Sequence, residues 1–422
     1  MLKRKIIQKL DDWKKETNRK ALIIEGPQHI GKTFTLRTFA YENYKQVVYI
    51  NFNQFPYMRH IFEQDFDIDA LILQITLMIP GARCVPHETL ILLEEIEYCP
   101  SAISALIKLS NDARYDAIGT RTILNSNNNP SEITVLRMHA LDFEEFLWAN
   151  NVSNLAIQEL KNAFNQQRAV SNEVHQFFIN MFREYTYVGG MPKAVRAFTN
   201  SHSFEAAQLA QRYINDVYLS EIMAWTDQKK KKTKINDIFH TIPDQVRRSN
   251  KKFKYSDISN SASYRTHWDS IHKLYEYGWL FSIYKVDDLN TPLFDNHQKG
   301  NFKLCVRDIG LLSGQLVDAD LEYLNNPLTI QKNILLENSI ADVLVKRGLR
   351  MYYMEEGKNT FFVVTNKNRK IGISFDDSNT LRSMNRLVLH GQLDVAYDLI
   401  VEPTHKDKNG MHVPLYNLMF IE

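Results

Sequence analysis

Eight residues, Gly26-Pro-Gln-His-Ile-Gly-Lys-Thr33, constrain this chain more than any other stretch. They fit the pattern G-x-x-x-x-G-K-[ST] and follow the apolar run Leu22-Ile23-Ile24. A loop that curls around a triphosphate needs small residues where backbone N–H groups approach the oxygens, with a helix N-terminus behind them. Gly26 and Gly31 supply the small positions, and Pro27, Gln28, His29, Ile30 and Phe34 complete the loop and the start of its helix. Lys32 is expected to meet the β- and γ-phosphates as a point charge, and the Thr33 hydroxyl to sit on Mg²⁺. The preceding strand and following helix favour a phosphate-binding loop over a chance glycine turn.

At 422 residues, 44% hydrophobic and 24% charged, the chain has room for two to four domains with ordinary cores. No apolar run approaches the roughly 18 residues that span a bilayer. Met1-Leu-Lys-Arg-Lys5 leads toward a charged helix rather than a signal-peptide core. Cys84, Cys99 and Cys305, odd in number and far apart, fit neither a disulfide framework nor a zinc site, so reduced thiols in the cytoplasm are expected. A net charge of +2 implies no partner by itself, so any electrostatic reading depends on local clustering.

Periodicity predicts a helix over 5–18, carrying Ile6, Ile7, Leu10 and Trp13, and a strand over Val47–Phe52. A helix over Asp67–Met78 and a strand over Leu90–Glu95 follow. Four apolar residues ending in two carboxylates, some sixty positions after the phosphate loop, have the form of a Walker B strand. Glu94 is then the metal-side acid and Glu95 the group that polarises the attacking water. Glutamate in place of the more usual aspartate at 94 is one methylene longer, which shifts the metal and threatens turnover more than binding. A fourth strand is predicted near Arg121–Asn125, where Asn125 is either a sensor of the γ-phosphate or a polar strand end. A fifth spans Thr134–Leu141 and feeds Asp142-Phe-Glu-Glu145, a capping box. Strands alternating with helices imply an α/β fold with a largely parallel sheet.

Together with the strand Ile91–Glu95 and Ile96-Glu-Tyr-Cys-Pro100 after it, other segments point the same way. They are Leu141-Asp-Phe-Glu-Glu-Phe-Leu147, Gly189-Gly-Met-Pro192, Phe302-Lys-Leu-Cys-Val-Arg-Asp-Ile-Gly-Leu-Leu312 and Leu336-Glu-Asn338. With the phosphate loop, they resemble the prokaryotic AAA-type P-loop ATPases that carry a C-terminal, restriction-endonuclease-like domain of unknown function. The resemblance covers nearly the whole chain. It implies Mg-ATP as cofactor, a core over 1–150 and a helical lid over 151–228. It also implies that Gly190 and Pro192 lie near the nucleotide, although a plain interhelical turn explains the same residues.

From Lys229 to Lys254 ten Lys or Arg face only Asp237 and Asp244. The stripe precedes a short helix near Tyr255, a longer one over Tyr264–Tyr277 and a strand at Gly278–Val286, a winged helix-turn-helix pattern over 229–330. DNA, a protein partner or an intramolecular lid contact each explains it. Residues 331–422 begin with a helix bearing Glu337 and continue with strands at 351–354, 360–365, 369–375 and 396–401, an α/β arrangement. The resembled nuclease-like domain needs Asp on one strand and Glu-x-Lys on the next, where this chain has Phe361, Ser374 and Asp376. Cleavage of nucleic acid is therefore not expected. The leading expectation is a slow ATPase acting as a nucleotide-dependent switch on a partner. Its rivals are a nucleotide-binding scaffold that does not turn over and a DNA-binding regulator.

Overall fold

Leu22, Ile23 and Ile24 are buried on both faces of a strand, as a central parallel strand requires. In the computed structural model, residues 2–63, 67–122, 130–226, 228–248, 252–290, 292–316, 335–375 and 377–422 are described. They divide into two units, one of residues 4–139 with 276–278 and one of the rest.

The first unit runs α1 (Ile6–Lys15), β1 (Ala21–Glu25), α2 (Lys32–Asn43), β2 (Gln46–Asn51), α3 (Arg59–Glu63) and α4 (Ile68–Met78). It continues with β3 (Thr89–Glu94), α5 (Ala102–Asp112), β4 (Asp116–Arg121) and β5 (Ile133–Arg137). The five strands form one sheet of order β2-β3-β4-β1-β5, every pair parallel. Parallel strands put all their C-terminal ends on one edge, so the loops after β1 and β3 open on the same side. One face is filled by Ile23, Ile50, Leu93, Ile61, Leu71, Ile75 and Leu106, giving the sheet its apolar layer.

Two sequence expectations shift here. A strand occupies 116–121, ahead of the segment expected from 121 on, because Asp116 and Gly119 dilute the β-signal of residues whose pairing with β1 and β3 decides their conformation, and residues 123–125 lie outside the described residues. The fifth stops at Arg137 instead of Leu141. Asn125 lies outside the described residues.

The second unit opens with α6 (Phe143–Ala149), α7 (Asn154–Asn165), α8 (Asn172–Val188), α9 (Pro192–Ser201), α10 (Phe204–Ala224), α11 (Lys229–Val246) and α12 (Tyr264–Glu276). Asp142 caps α6 with both halves of the expected box in place. Then come β6 (Leu280–Val286), β7 (His297–Val306), α13 (Ile309–Ser313), α14 (Leu336–Lys346), β8 (Arg350–Glu356), β9 (Asn359–Asn366) and β10 (Arg369–Phe375). The chain ends with α15 (Ser378–Leu389), β11 (Val395–Ile400), β12 (His405–Lys406) and β13 (Met411–Pro414).

A mixed sheet of order β12-β13-β11-β10-β9-β8-β6-β7 holds these strands, with β6 parallel to β8. The hairpin β6–β7 and the strands after residue 350 thus share one sheet. Among the described residues no helix is long and apolar enough to cross a membrane. The three cysteines are free thiols.

Three of the segments quoted above meet Tyr185, Asp342 and Lys346 in a buried cluster of this unit. Lys346 Nζ lies 2.7 Å from Asp308 Oδ2, 2.8 Å from Asp342 Oδ2, 3.0 Å from the Tyr185 hydroxyl and 3.2 Å from the Leu141 carbonyl oxygen. The Gly190 N–H donates to Asp308 Oδ2 at 2.8 Å, and the Leu141 N–H to the Gly190 carbonyl at 2.8 Å. A Cβ at Gly190 would stand 1.9 Å from the Leu141 carbonyl oxygen, so only glycine lets these backbones approach.

Candidate functional site

The residues that meet at the C-terminal edge of the parallel sheet are those of the phosphate loop and of the end of β3. Gly26 leaves β1 with no room for a side chain, since a Cβ there would lie 2.3 Å from the Met138 carbonyl oxygen. Pro27 is buried, Gln28 half-buried and His29 exposed, with His29 in left-handed backbone at φ 61°. Ile30 is buried and anchors the loop, while Gly31 at φ 91° precedes the first turn of α2. Lys32 opens that helix, and its Nζ bonds the Gly26 and Pro27 carbonyls at 2.7 Å each. Phe34 points outward, about half exposed.

The Thr33 hydroxyl donates to Glu94 Oε2 at 3.0 Å, joining the loop to the end of β3. Tyr49 donates to the same oxygen at 2.8 Å, and its phenol is pushed up to about 12 by burial and by that carboxylate. Glu94 is buried, yet its Oε1 has no hydrogen-bond partner. A buried carboxylate oxygen without a donor is costly unless a cation supplies the missing charge. Hydroxyl plus carboxylate, with further ligands from phosphate and water, is the donor set Mg²⁺ takes, so Thr33 and Glu94 fit that ion. Among the described residues no group of three or more His, Cys, Asp or Glu could hold a metal by itself.

Glu95 sits just beyond β3 in left-handed backbone, at φ 55° and ψ 51°. A glutamate there carries strain of roughly 1 kcal/mol or more. Two contacts hold it: Asn51 Nδ2 donates to Glu95 Oε1 at 3.2 Å, and the Glu95 N–H to the Thr120 hydroxyl at 3.2 Å. Its Oε2 has no hydrogen-bond partner.

Four residues escaped the sequence reading. Asn51 ends β2 opposite Glu94, and Tyr49 lies two residues earlier. Glu97, the third acid of Glu94-Glu-Ile-Glu97, accepts the Thr122 N–H at 3.0 Å, and burial raises its pKa while Lys32 lowers it. Arg4 donates to the Ile30 carbonyl at 2.9 Å and the His139 carbonyl at 2.6 Å, fastening the loop from the start of the chain. Only Asn51 carried a usable signal, a polar residue ending an apolar strand.

Gly190 and Pro192 belong to the second unit, where Gly190 serves the buried cluster and Pro192 opens α9. The basic stripe begins in the first turn of α11, where Lys229 and Lys230 are exposed, while Lys251 lies outside the described residues.

Of the nuclease-type positions, Glu337 and Phe361 line one small pocket with Lys303, Glu355 and Phe362. Phe361 packs with Leu381 and Met384 of α15, and Ser374 donates to Asp398 Oδ1 at 2.6 Å on that same face. Glu337 pairs with Lys303 at 2.7 Å, the ammonium lying 5.2 and 5.4 Å from the Tyr353 and Phe362 rings. Asp376 lies outside the described residues, and Asp377 caps α15.

Residues 18–147 match the AAA domain family, and residues 179–321 match a family described only as a domain of unknown function. The first unit is therefore an AAA-type, ATPase-like domain, whereas the nuclease-like expectation for the last segment finds no support there. No curated protein matches the chain. Among solved structures, the Walker-type ATPase paby2304 of Pyrococcus abyssi is similar at 11% identity and a TM-score of 0.41. That match covers 75% of this chain and 96% of that one. The Aeropyrum pernix ORC1 protein in complex with DNA is similar at 11% identity and a TM-score of 0.31, over 78% of this chain and 92% of that one. AMPPCP-bound DnaA from Aquifex aeolicus is similar at 13% identity and a TM-score of 0.28, covering 64% and 86%.

Proposed function

We propose that this protein binds Mg-ATP at Gly26–Phe34, hydrolyses it slowly and uses the nucleotide state as a switch on a partner. The observation that carries the reading is the 3.0 Å bond from Thr33 to Glu94, beside a Glu94 oxygen without a hydrogen-bond partner. It joins the two halves of a nucleotide site that lie sixty residues apart in sequence. Backbone N–H groups of the loop and the start of α2 would cradle the phosphates. Lys32 would leave the Gly26 and Pro27 carbonyls for the β- and γ-phosphate oxygens. When bound, Mg²⁺ would neutralise charge on those oxygens. Glu95 would orient and polarise water, with Asn51 positioning its carboxylate, and Asn125 would read the γ-phosphate.

In the same proposal 151–228 is a helical lid bringing Gly190 and Pro192 toward the nucleotide. Residues 229–330 meet the partner through the basic stripe and α12, and 331–422 act as a nuclease-like domain without its metal ligands, in a cytoplasmic protein. A non-hydrolysing scaffold is the second reading, favoured by the double engagement of Glu94 Oε2 by Thr33 and Tyr49. Calorimetry with ATP and Mg²⁺ tests the first step. Lys32→Ala should weaken binding about tenfold or more, as loss of a charged hydrogen-bonding group does, and equal affinity of the two proteins would sink the nucleotide reading. Phosphate release then separates a slow ATPase from a scaffold, and repeating it with DNA tests the switch.

A further inference from the structure

The second unit carries a row of aromatic rings beside its basic stripe. Tyr264, 43% exposed, stacks on Trp268 with centroids 4.9 Å apart and planes 26° apart. Trp268 meets the buried Phe302 at 6.2 Å, Phe302 meets Tyr284 at 5.8 Å, and Tyr284 meets His297 at 4.7 Å. Phe294, 64% exposed, closes the row at 5.6 Å from His297. Trp268, Tyr284 and His297 are half-buried. The rings thus rest on Phe302 and are open at both ends of the row. Aliphatic residues would fill such a layer as well if packing were its only task.

Cations border these rings. Lys234 Nζ donates to the Thr266 carbonyl, and Lys231 lies 3.6 Å from Asp269, so the lysine-rich start of α11 runs along α12. Lys229, Lys230, Lys254 and Arg265 are exposed. A duplex-reading helix needs donors and acceptors on its open face. On α12 the exposed positions are Tyr264, Arg265, Thr266 and Asp269, with the Trp268 and Tyr275 rings half-buried among them. The hairpin after it is fixed as the edge of an eight-stranded sheet through β6 and β8 rather than projecting as a free wing. Rings that stack bases in any sequence, bordered by lysines that follow a phosphate backbone, are the chemistry of single-strand recognition.

We propose that α12, Tyr284 and the 294–302 segment form a stacking platform for single-stranded nucleic acid. The inference rests on the reading that the basic stripe meets a partner and adds the chemical class of that partner; it does not require that ATP bind. A fluorescein-labelled oligothymidylate of about 20 nucleotides, followed by anisotropy at low salt without nucleotide, should bind more tightly than a duplex of equal length. Tyr264→Ala should weaken that binding about tenfold, within the range for loss of one stacked base, and Tyr264→Phe should restore it. Lys229→Gln with Lys230→Gln should flatten the logarithmic salt dependence by about 1.4.

Equal affinity for duplex and single strand, or unchanged binding by Tyr264→Ala, overturns the platform. No binding to either probe also overturns it, in favour of a protein contact on this face. Melting of each variant by circular dichroism guards against unfolding. Calorimetry of wild type and Lys32→Ala with ATP keeps the two readings separate: a protein that binds ATP but not the oligonucleotide sinks the platform alone. The converse sinks the nucleotide site alone.

Discussion

At residue scale the site is governed by three carboxylates within four positions, each held differently. Glu94 is tied to Thr33 and Tyr49, Glu95 is strained and held by Asn51, and Glu97 accepts a backbone N–H. Only Glu95 combines unusual backbone with an oxygen lacking a hydrogen-bond partner, as a water-polarising group would. Glu95→Gln should therefore lower phosphate release by about a hundredfold while ATP affinity stays within about threefold, as loss of a general base does. Glu94→Gln should raise the Mg²⁺ concentration needed for binding. Unchanged release by Glu95→Gln in a single-turnover assay would remove it from the chemistry.

A second prediction at this scale concerns Asp342, whose carboxyl burial pushes up to about 7, with Lys346 opposing and Asp308 adding to the rise. A folded value above the unfolded one of about 3.9 means that the folded state binds the extra proton. That stability is complete below the unfolded value and is lost as pH rises toward and through 7. The urea midpoint should fall as pH rises from 5 to 8, by an amount reduced by the coupling to Lys346. Asp342→Asn should flatten the trend, and a parallel slope in that variant would locate the titration elsewhere.

Among the elements, α11 is built against its own dipole. Lys229 to Lys232 occupy its first turn, where the helix end is already positive, and Gln228 offers no side-chain cap. Cations in that place lower helix stability and raise the local potential for a polyanion. Lys229→Glu with Lys230→Glu should raise the melting temperature slightly while lowering affinity for any anionic partner. A fall in both would mean that these lysines serve packing rather than recognition. The α12 helix shows the complementary case: Tyr264 is open, and the hairpin packed against the helix extends its rings into a continuous row.

The whole molecule joins an AAA-type domain to a unit whose sheet takes strands from both sides of residue 330. Glu337, the one carboxylate of the nuclease-type set, is paired with buried Lys303 and so is already neutralised. Incubation of the purified protein with single- and double-stranded DNA and Mg²⁺ or Mn²⁺ should leave both uncut. Metal-dependent products that disappear with Glu337→Ala would overturn this expectation.

The phosphate-loop motif, its strand and helix, the carboxylates at the end of β3 and four of the six strands from residue 350 onward are legible from the sequence. Motif spacing and alternating burial are local properties of the chain. The strand at 116–121 was displaced in that reading, because its identity comes from neighbours on both sides and not from its own residues. Only tertiary structure brought Asn51 and Arg4 to the site, paired Glu337 with Lys303, and gathered Leu141, Tyr185, Gly190, Asp308, Asp342 and Lys346 into one buried cluster. Contacts between residues a hundred or more positions apart leave no periodic trace in the chain, since they depend on sheet order and strand face, which pairing and packing decide together.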